Sequence, residues 1–234
     1  MTRERRRHYA VDMQPEGATD MGGEEARPWI EPIKNGPLRV ANLKHIVAET
    51  GKALPEQDKV LLCRCGHSKN KPYCDGSHAK AGFSSDKEEG RLPDRVKDYE
   101  GERIVIHDNR GVCSHAEYCV RESPAVFEFG ARPWIRPDAD SVDRTAHTIK
   151  KCPSGALSYT RDGVLHKDLD RSPALYVVGN GPYEVVGWPE LRDPDGNVPE
   201  SREHYSLCRC GRSKNKPFCD GAHRISGEVD RGDS

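Results

Sequence analysis

The residues best suited to chemistry are nine cysteines, and six of them fall in two near-identical runs. Residues 63–78 read CRCGHSKNKPYCDGSH, and residues 208–223 read CRCGRSKNKPFCDGAH. Thirteen of the sixteen positions agree; the differences are His67/Arg212, Tyr73/Phe218 and Ser77/Ala222. Each run is spaced Cys-x-Cys, eight residues, Cys, three residues, His. That offers a metal four soft donors: Cys63, Cys65, Cys74 and His78, then Cys208, Cys210, Cys219 and His223. In an extended chain residues i and i+2 point the same way, so Cys63 and Cys65 can grip one metal ion together. The Asp-Gly after Cys74 turns the chain into a short helix carrying His78. Asp75 can cap that helix by accepting from a backbone N–H near His78, and Asp220 repeats the arrangement.

The remaining composition explains why such sites would matter to folding. In 234 residues, 37 basic side chains face 38 acidic ones, 34% are hydrophobic and 32% charged. A chain this polar either stays partly disordered or is held by something besides a core. No apolar run approaches the ~18 residues of a membrane span, and none resembles a signal peptide. A net charge of −1 argues against general nucleic-acid binding, which needs excess Lys and Arg. With no export signal the expected compartment is the reducing cytoplasm, where clustered cysteines read as metal ligands before disulfides. No catalytic triad, nucleotide loop or paired-carboxylate pattern stands out, so an enzyme is not expected. His8, His45, His107, His147, His166 and His204 have no ligand spacing.

The elements that must position the donors follow from the repeat, whose offset is 145 residues. Asn35-Gly36-Pro37 aligns with Asn180-Gly181-Pro182, and each turn leads into a strand, Leu38–Val40 and Tyr183–Val186. Val60–Leu62 and Tyr205–Leu207 read as short strands feeding the cysteine pairs. The duplicated unit is thus β-rich, with a ligand loop, a short helix and no large apolar core of its own. Between the copies, Arg103–His107 alternates like a strand. Val142, Ala146 and Ile149 form one face of a helix over 141–151, and Ala156–Tyr159 reads as a returning strand.

The repeated pattern resembles the CDGSH (NEET) iron–sulfur family, spelled out by Cys74-Asp75-Gly76-Ser77-His78 and matched again at Ser68, Pro72, Ser213 and Pro217. The second copy departs at Ala222. A structural zinc site of three cysteines and one histidine is the alternative, although zinc fingers usually put two to four residues between the first pair rather than one. The resemblance implies one 2Fe–2S cluster per copy on three cysteines and one histidine. Replacing one thiolate by a neutral imidazole makes such a centre less negative and raises its potential, as histidine does in Rieske centres. Protonation of a ligand histidine would couple reduction to pH. Lys69, Lys71, Lys214 and Lys216 would favour the reduced state, or simply solvate an exposed loop. The Ser77/Ala222 and His67/Arg212 differences predict two potentials. The resemblance also implies that the two units swap a strand into a shared β-cap, giving a monomer with an internal pseudo-twofold.

The intervening segment resembles a single-cluster bacterial ferredoxin, closest to the divergent domain that bacteria fuse to CDGSH units. Its signature is C-x2-C-x2-C followed later by C-P. Cys113 and Cys119 fill the first and third places, Cys152 precedes Pro153, and the second place falls on Ala116. Three thiolates suit a 3Fe–4S cluster; His115, beside Ala116, is an alternative fourth ligand that would complete a 4Fe–4S cube. Burial of these cysteines as small hydrophobes is the plainest reading, and the Cys-Pro-x-Gly-Ala context argues against it.

These readings assign the nine cysteines three to a site. The expected fold is small, β-rich α+β: a tail (1–26), a first CDGSH unit (27–92), a ferredoxin-like domain (93–170), a second CDGSH unit (171–227) and a short tail (228–234). The expected function is electron transfer between a reductase and an oxygenase or other redox enzyme, without membrane or nucleic-acid partners. The alternative is a 2Fe–2S cluster donor or a redox or pH sensor.

Overall fold

The computed structural model describes residues 27–224; both expected tails and residues 225–227 lie outside the described residues. The first copy supplies β1 (Trp29–Pro32), β2 (Leu38–Ala41), β3 (Ile46–Val47), β4 (Lys59–Leu62) and a one-turn helix α1 (Ser77–Lys80). The segment between the copies supplies β5 (Val96–Glu100), β6 (Val105–Asn109), α2 (Tyr118–Glu122), α3 (Val142–Lys150), β7 (Leu157–Arg161) and β8 (Val164–His166). The second copy supplies β9 (Ala174–Val177), β10 (Tyr183–Val186), β11 (Glu190–Leu191) and β12 (Tyr205–Leu207), ending in a 3-10 turn at Ala222–Arg224.

The two Asn-Gly-Pro segments close tight hairpins. Asn35 and Asn180 take the left-handed conformation (φ 50° and 49°), which asparagine tolerates better than most residues. The Gly36 N–H donates to the Ile33 carbonyl and the Gly181 N–H to that of Val178, at 2.9 and 3.0 Å.

Three four-stranded sheets result, ordered β11-β1-β2-β4, β12-β10-β9-β3 and β5-β6-β7-β8. Each of the first two borrows its outermost short strand from the other copy. β3 pairs in parallel with β9 (Ile46 opposite Leu175), and β11 pairs in parallel with β1 (Ile30 opposite Leu191). The exchange answers the shortage of apolar residues in one unit. Ile30, Leu38, Val40 and Leu62 of the first copy share one core with Leu175, Val177, Tyr183, Val185 and Leu207 of the second. Each such side chain contributes roughly 1.5–3 kcal/mol when fully buried.

The middle segment has its own antiparallel sheet and a core of Ile104, Ile106, Val126, Phe127, Ile135, Ala146, Ile149, Leu157 and Tyr159. Helix α3 is capped by Ser141, whose hydroxyl accepts from the Arg144 N–H at 3.3 Å, and its Ala146 and Ile149 face inward. The segment is not an isolated bead, because Val112 and Ala156 belong to the core shared by the repeats, with Cys113 and Cys152 packed against it.

Candidate iron–sulfur sites

In each repeat a strand end is folded against its own ligand loop. The Cys63 N–H donates to the Pro72 carbonyl and the Cys74 N–H to the Leu61 carbonyl, at 2.8 and 2.9 Å. The same two bonds join Cys208 to Pro217 and Cys219 to Ser206, at 2.8 and 2.9 Å. Backbone pairing, rather than packing alone, therefore brings the third cysteine beside the first two. Ser68 and Ser213 tighten the loop between them, donating to the Tyr73 and Phe218 carbonyls at 2.7 Å in both copies. The Asp75 carboxylate accepts from the Ser77 and Lys69 N–H groups, at 2.9 and 2.8 Å; these bonds hold its pKa well below the usual range. The Asp220 carboxylate likewise accepts from the Ala222 and Lys214 N–H groups, at 3.0 and 2.8 Å. The bond expected beside His78 is present, although Gly76 is the residue that stands at the helix N-cap position.

The donors come in pairs. Cys63 and Cys65 sulfurs are 3.6 Å apart, and the Cys74 sulfur lies 3.4 Å from His78 Nδ1. The second copy gives 3.9 Å for Cys208 and Cys210, and 3.3 Å from the Cys219 sulfur to His223 Nδ1. Two donors on one tetrahedral metal at ~2.3 Å would be about 3.7 Å apart, so each pair fits the span of a single ion. Among the described residues no three His, Cys, Asp or Glu side chains converge on one point as a mononuclear site requires. Two separate pairs per copy are a donor set that could hold two neighbouring metal ions, one on Cys/Cys and one on Cys/His.

Local electrostatics prepare the sulfurs. In the first copy the Cys65 thiol favours the Cys63 thiolate, which the Ser68 and Gly66 N–H groups also face. In the second, Cys208 favours the Cys210 thiolate. Burial pushes the Cys219 thiol up, so a cation is what would deprotonate it there. The two ligand loops touch each other. Cys65 and Cys210 form an antiparallel bridge, and a Cβ on Gly66 or Gly211 would stand 2.7 or 2.5 Å from the opposite cysteine's carbonyl oxygen.

The three middle cysteines line one cavity together with Ser114, His115, Ala116, Thr148 and Pro153. Cys113 follows a 3-10 turn capped by the Asn109 side chain, Cys119 sits in α2, and Cys152 lies just past the end of α3 with its N–H on the Ile149 carbonyl at 2.9 Å. A buried Ser123–Thr148 hydroxyl contact of 2.8 Å fastens α2 to α3. Burial pushes the Cys113 and Cys119 thiols up to about 11 and about 12. His115 and Glu117 both take left-handed φ angles (57° and 69°), so the chain around Ala116 bends sharply over the cavity. Burial, aided by the Arg110 and Arg224 cations, lowers the His115 pKa and keeps the ring neutral, the form in which imidazole binds metals.

Family comparison divides the chain in the same way. A family described as iron-binding zinc finger CDGSH type matches residues 35–79 and again 180–224, and one described as divergent 4Fe-4S mono-cluster matches residues 99–162. The chain is a tandem CDGSH protein with a divergent 4Fe–4S mono-cluster domain between its two units. It is also similar to the uncharacterized protein YjdI of Escherichia coli (strain K12), 41% identical over 61 residues that make up 26% of this chain and 80% of that protein. YjdI of Escherichia coli O157:H7 matches with the same identity and coverage. No solved structure matches the chain.

Three arginines of the tandem CDGSH chain were not singled out by sequence reasoning. Arg64 and Arg209, the middle residues of the two Cys-x-Cys motifs, are 3% and 4% exposed. Arg64 Nε donates to the Gly36 carbonyl at 2.7 Å and Nη2 to that of Ile33; Arg209 donates to Gly181 and Val178 at 3.1 and 2.7 Å. Each guanidinium thus ties a ligand loop to the hairpin of its own copy. Their identity in both runs was the available signal. Arg110 lies over the Trp134 ring, 3.8 Å from its centroid, and donates to the Cys113 sulfur at 3.3 Å. It brings a fixed cation to the middle site. Lys216 corrects the reading of its loop as solvated: it is 4% exposed and paired with Glu88 at 3.2 Å.

Proposed function

We propose that the chain is an electron-transfer protein holding two 2Fe–2S clusters, on Cys63, Cys65, Cys74, His78 and on Cys208, Cys210, Cys219, His223, and one 3Fe–4S or 4Fe–4S cluster on Cys113, Cys119 and Cys152. Such clusters supply one-electron chemistry. The chain's part is to fix the donors, exclude water from the sulfurs and place cations beside them. The observation that carries the reading is that the donors of each repeat form two pairs at single-ion separation which, among the described residues, do not converge on one point as the four ligands of a zinc finger would. The exchanged strands β3 and β11 support an internal pseudo-twofold pair that needs no second chain. The His115 loop supports communication between the middle site and the second unit, since it lines both the three-cysteine cavity and a gap shared with His223. In this reading the protein serves a reductase and an oxygenase or other redox enzyme in the cytoplasm, and performs no bond-making chemistry itself.

An anaerobic redox titration followed by electron paramagnetic resonance, with an iron count, tests this. About seven or eight irons per chain and three reversible couples are expected. A signal before reduction marks a three-iron middle cluster; silence there marks a four-iron one. Bound zinc without iron, or rapid movement of clusters to an apo-ferredoxin at neutral pH, would overturn the carrier reading.

A further inference from the structure

The sequence Lys-Asn-Lys-Pro occurs in both ligand loops, at 69–72 and 214–217, and the structure shows what one copy of it holds. In the second unit, Asn215 Nδ2 donates to Asp94 Oδ1 at 3.0 Å and to the Gly111 carbonyl at 2.8 Å. The Lys214 carbonyl accepts from the Glu88 N–H at 2.9 Å, and Lys216 pairs with the Glu88 carboxylate. Beyond the loop, Arg224 pairs with Glu117 and donates to the His115 carbonyl at 2.8 Å. A surface belonging to the middle domain and the linker before it is thus seated on the second unit's ligand loop; Glu88, Asp94 and Glu117 make its polar contacts, and Lys87, Arg91 and Arg121 are interleaved with them.

In the first unit the middle of the same run is more open, with Lys71 half-buried where Lys216 is buried. Lys69 and Asn70 are exposed where Asn215 is buried, and His67, Asp75, Gly76 and Lys80 beside them are exposed too. Asp75 is the acid within this face, and both its oxygens already accept backbone N–H bonds.

We propose that the face around Lys69, Asn70, Lys71 and Lys80 docks an acidic redox protein, in the manner in which the second unit holds the chain's own middle domain. The partner's chemistry is read from the internal copy: a carboxylate for Lys71, as Glu88 gives Lys216, and a carboxylate with a neighbouring carbonyl for Asn70, with the exposed Lys69 and Lys80 adding positive charge around them. The proposal rests on the electron-transfer reading and identifies where an outside partner approaches. Opposite charge would steer that encounter and make it salt-sensitive.

Lysine acetylation of the full-length chain, mapped by mass spectrometry at low salt, tests it with two probes: an acidic 2Fe–2S ferredoxin and basic cytochrome c. The expected result is several-fold slower acetylation at Lys69, Lys71 and Lys80 with the acidic probe alone, abolished at Lys71 in a Lys69→Glu/Lys80→Glu variant and at all three positions at 0.5 M salt. Protection elsewhere, no protection, or equal protection by both probes overturns the proposal. The readout does not depend on the clusters, so their iron count and spectra judge the electron-transfer reading separately.

Discussion

The two CDGSH units share thirteen of sixteen motif residues and nearly the same donor distances, yet they stand in opposite surroundings. In the first, Cys74 is half-buried and Gly76 exposed; in the second, the corresponding Cys219 and Gly221 are buried. Motif letters therefore fix the ligand geometry, while access to each site is set by what the intervening domain covers. Duplication has left one site facing outward and turned the other into a seat for the middle domain. The asymmetry also predicts two different environments, and hence two potentials, from nearly one sequence.

The sharpest way to break this comparison is a matched glycine pair. Gly76 and Gly221 have the same left-handed backbone (φ 85° and 83°), so alanine strains both alike, by about 1–2 kcal/mol. Only at Gly221 does a Cβ collide, with the ring of His115; at Gly76 nothing lies within 4 Å. Gly221→Ala should lose a further ~1–3 kcal/mol from overpacking and loosen the middle domain, whereas Gly76→Ala should not. Equal losses in denaturant unfolding would show that the seat is not tightly packed.

A buried acid-sensitive carboxyl belongs to the second unit. Glu203 is fully buried; burial alone would raise its carboxyl, but hydrogen bonds from His204 and Arg171 outweigh that and hold it at about 2. Because this lies below the unfolded value of ~4.3, its stabilisation is complete above roughly pH 4.5 and is lost as pH falls toward 2. Glu203→Gln should remove on the order of 3 kcal/mol at neutral pH and flatten that stretch of the stability curve. Glu184 has the opposite sign. Burial pushes it up to about 8, so its contribution is full below ~4.3 and fades as pH rises through 8. The position corresponding to Glu184 in the first copy is Arg39, so that effect has no twin there.

How far the sequence could be read follows the same line between local and distant. The ligand spacing, strands β2, β4, β10 and β12, and helix α3 are legible because each is written in a few neighbouring residues. Strands β3 and β11 are two residues long, with no period to read, and each joins its sheet through pairing with the other copy. Arg64 and Arg209 look like surface charges in a polar loop, and only the fold shows them buried on their own hairpins. Asn70 and Asn215 occupy identical local sequences, so no local rule could assign one to solvent and the other to an interface. Asn215→Ala should cost about 1–3 kcal/mol by leaving the Asp94 and Gly111 acceptors without their donor, whereas Asn70→Ala should stay within ~0.5 kcal/mol. A similar cost at both would erase the distinction between the two loops.

The smallest expected effect runs in the other direction, from the second copy to the first. Tyr183 of β10 is fully buried, and its hydroxyl donates to the Cys63 carbonyl at 2.6 Å, with the Pro72 carbonyl at 3.3 Å. The equivalent residue of the first copy is Leu38, which has no hydroxyl to offer in return. The outward site therefore relies on its covered twin for one bond at the base of its ligand loop. Tyr183→Phe keeps the ring and removes that bond, so stability should fall by about 1 kcal/mol with the fold intact. The informative readout is local: amide exchange should quicken at Cys63 and Cys74 and stay unchanged at Cys208 and Cys219. Equal quickening in both loops would mean that Tyr183 supports the shared core in general, and that the two sites depend on each other symmetrically after all.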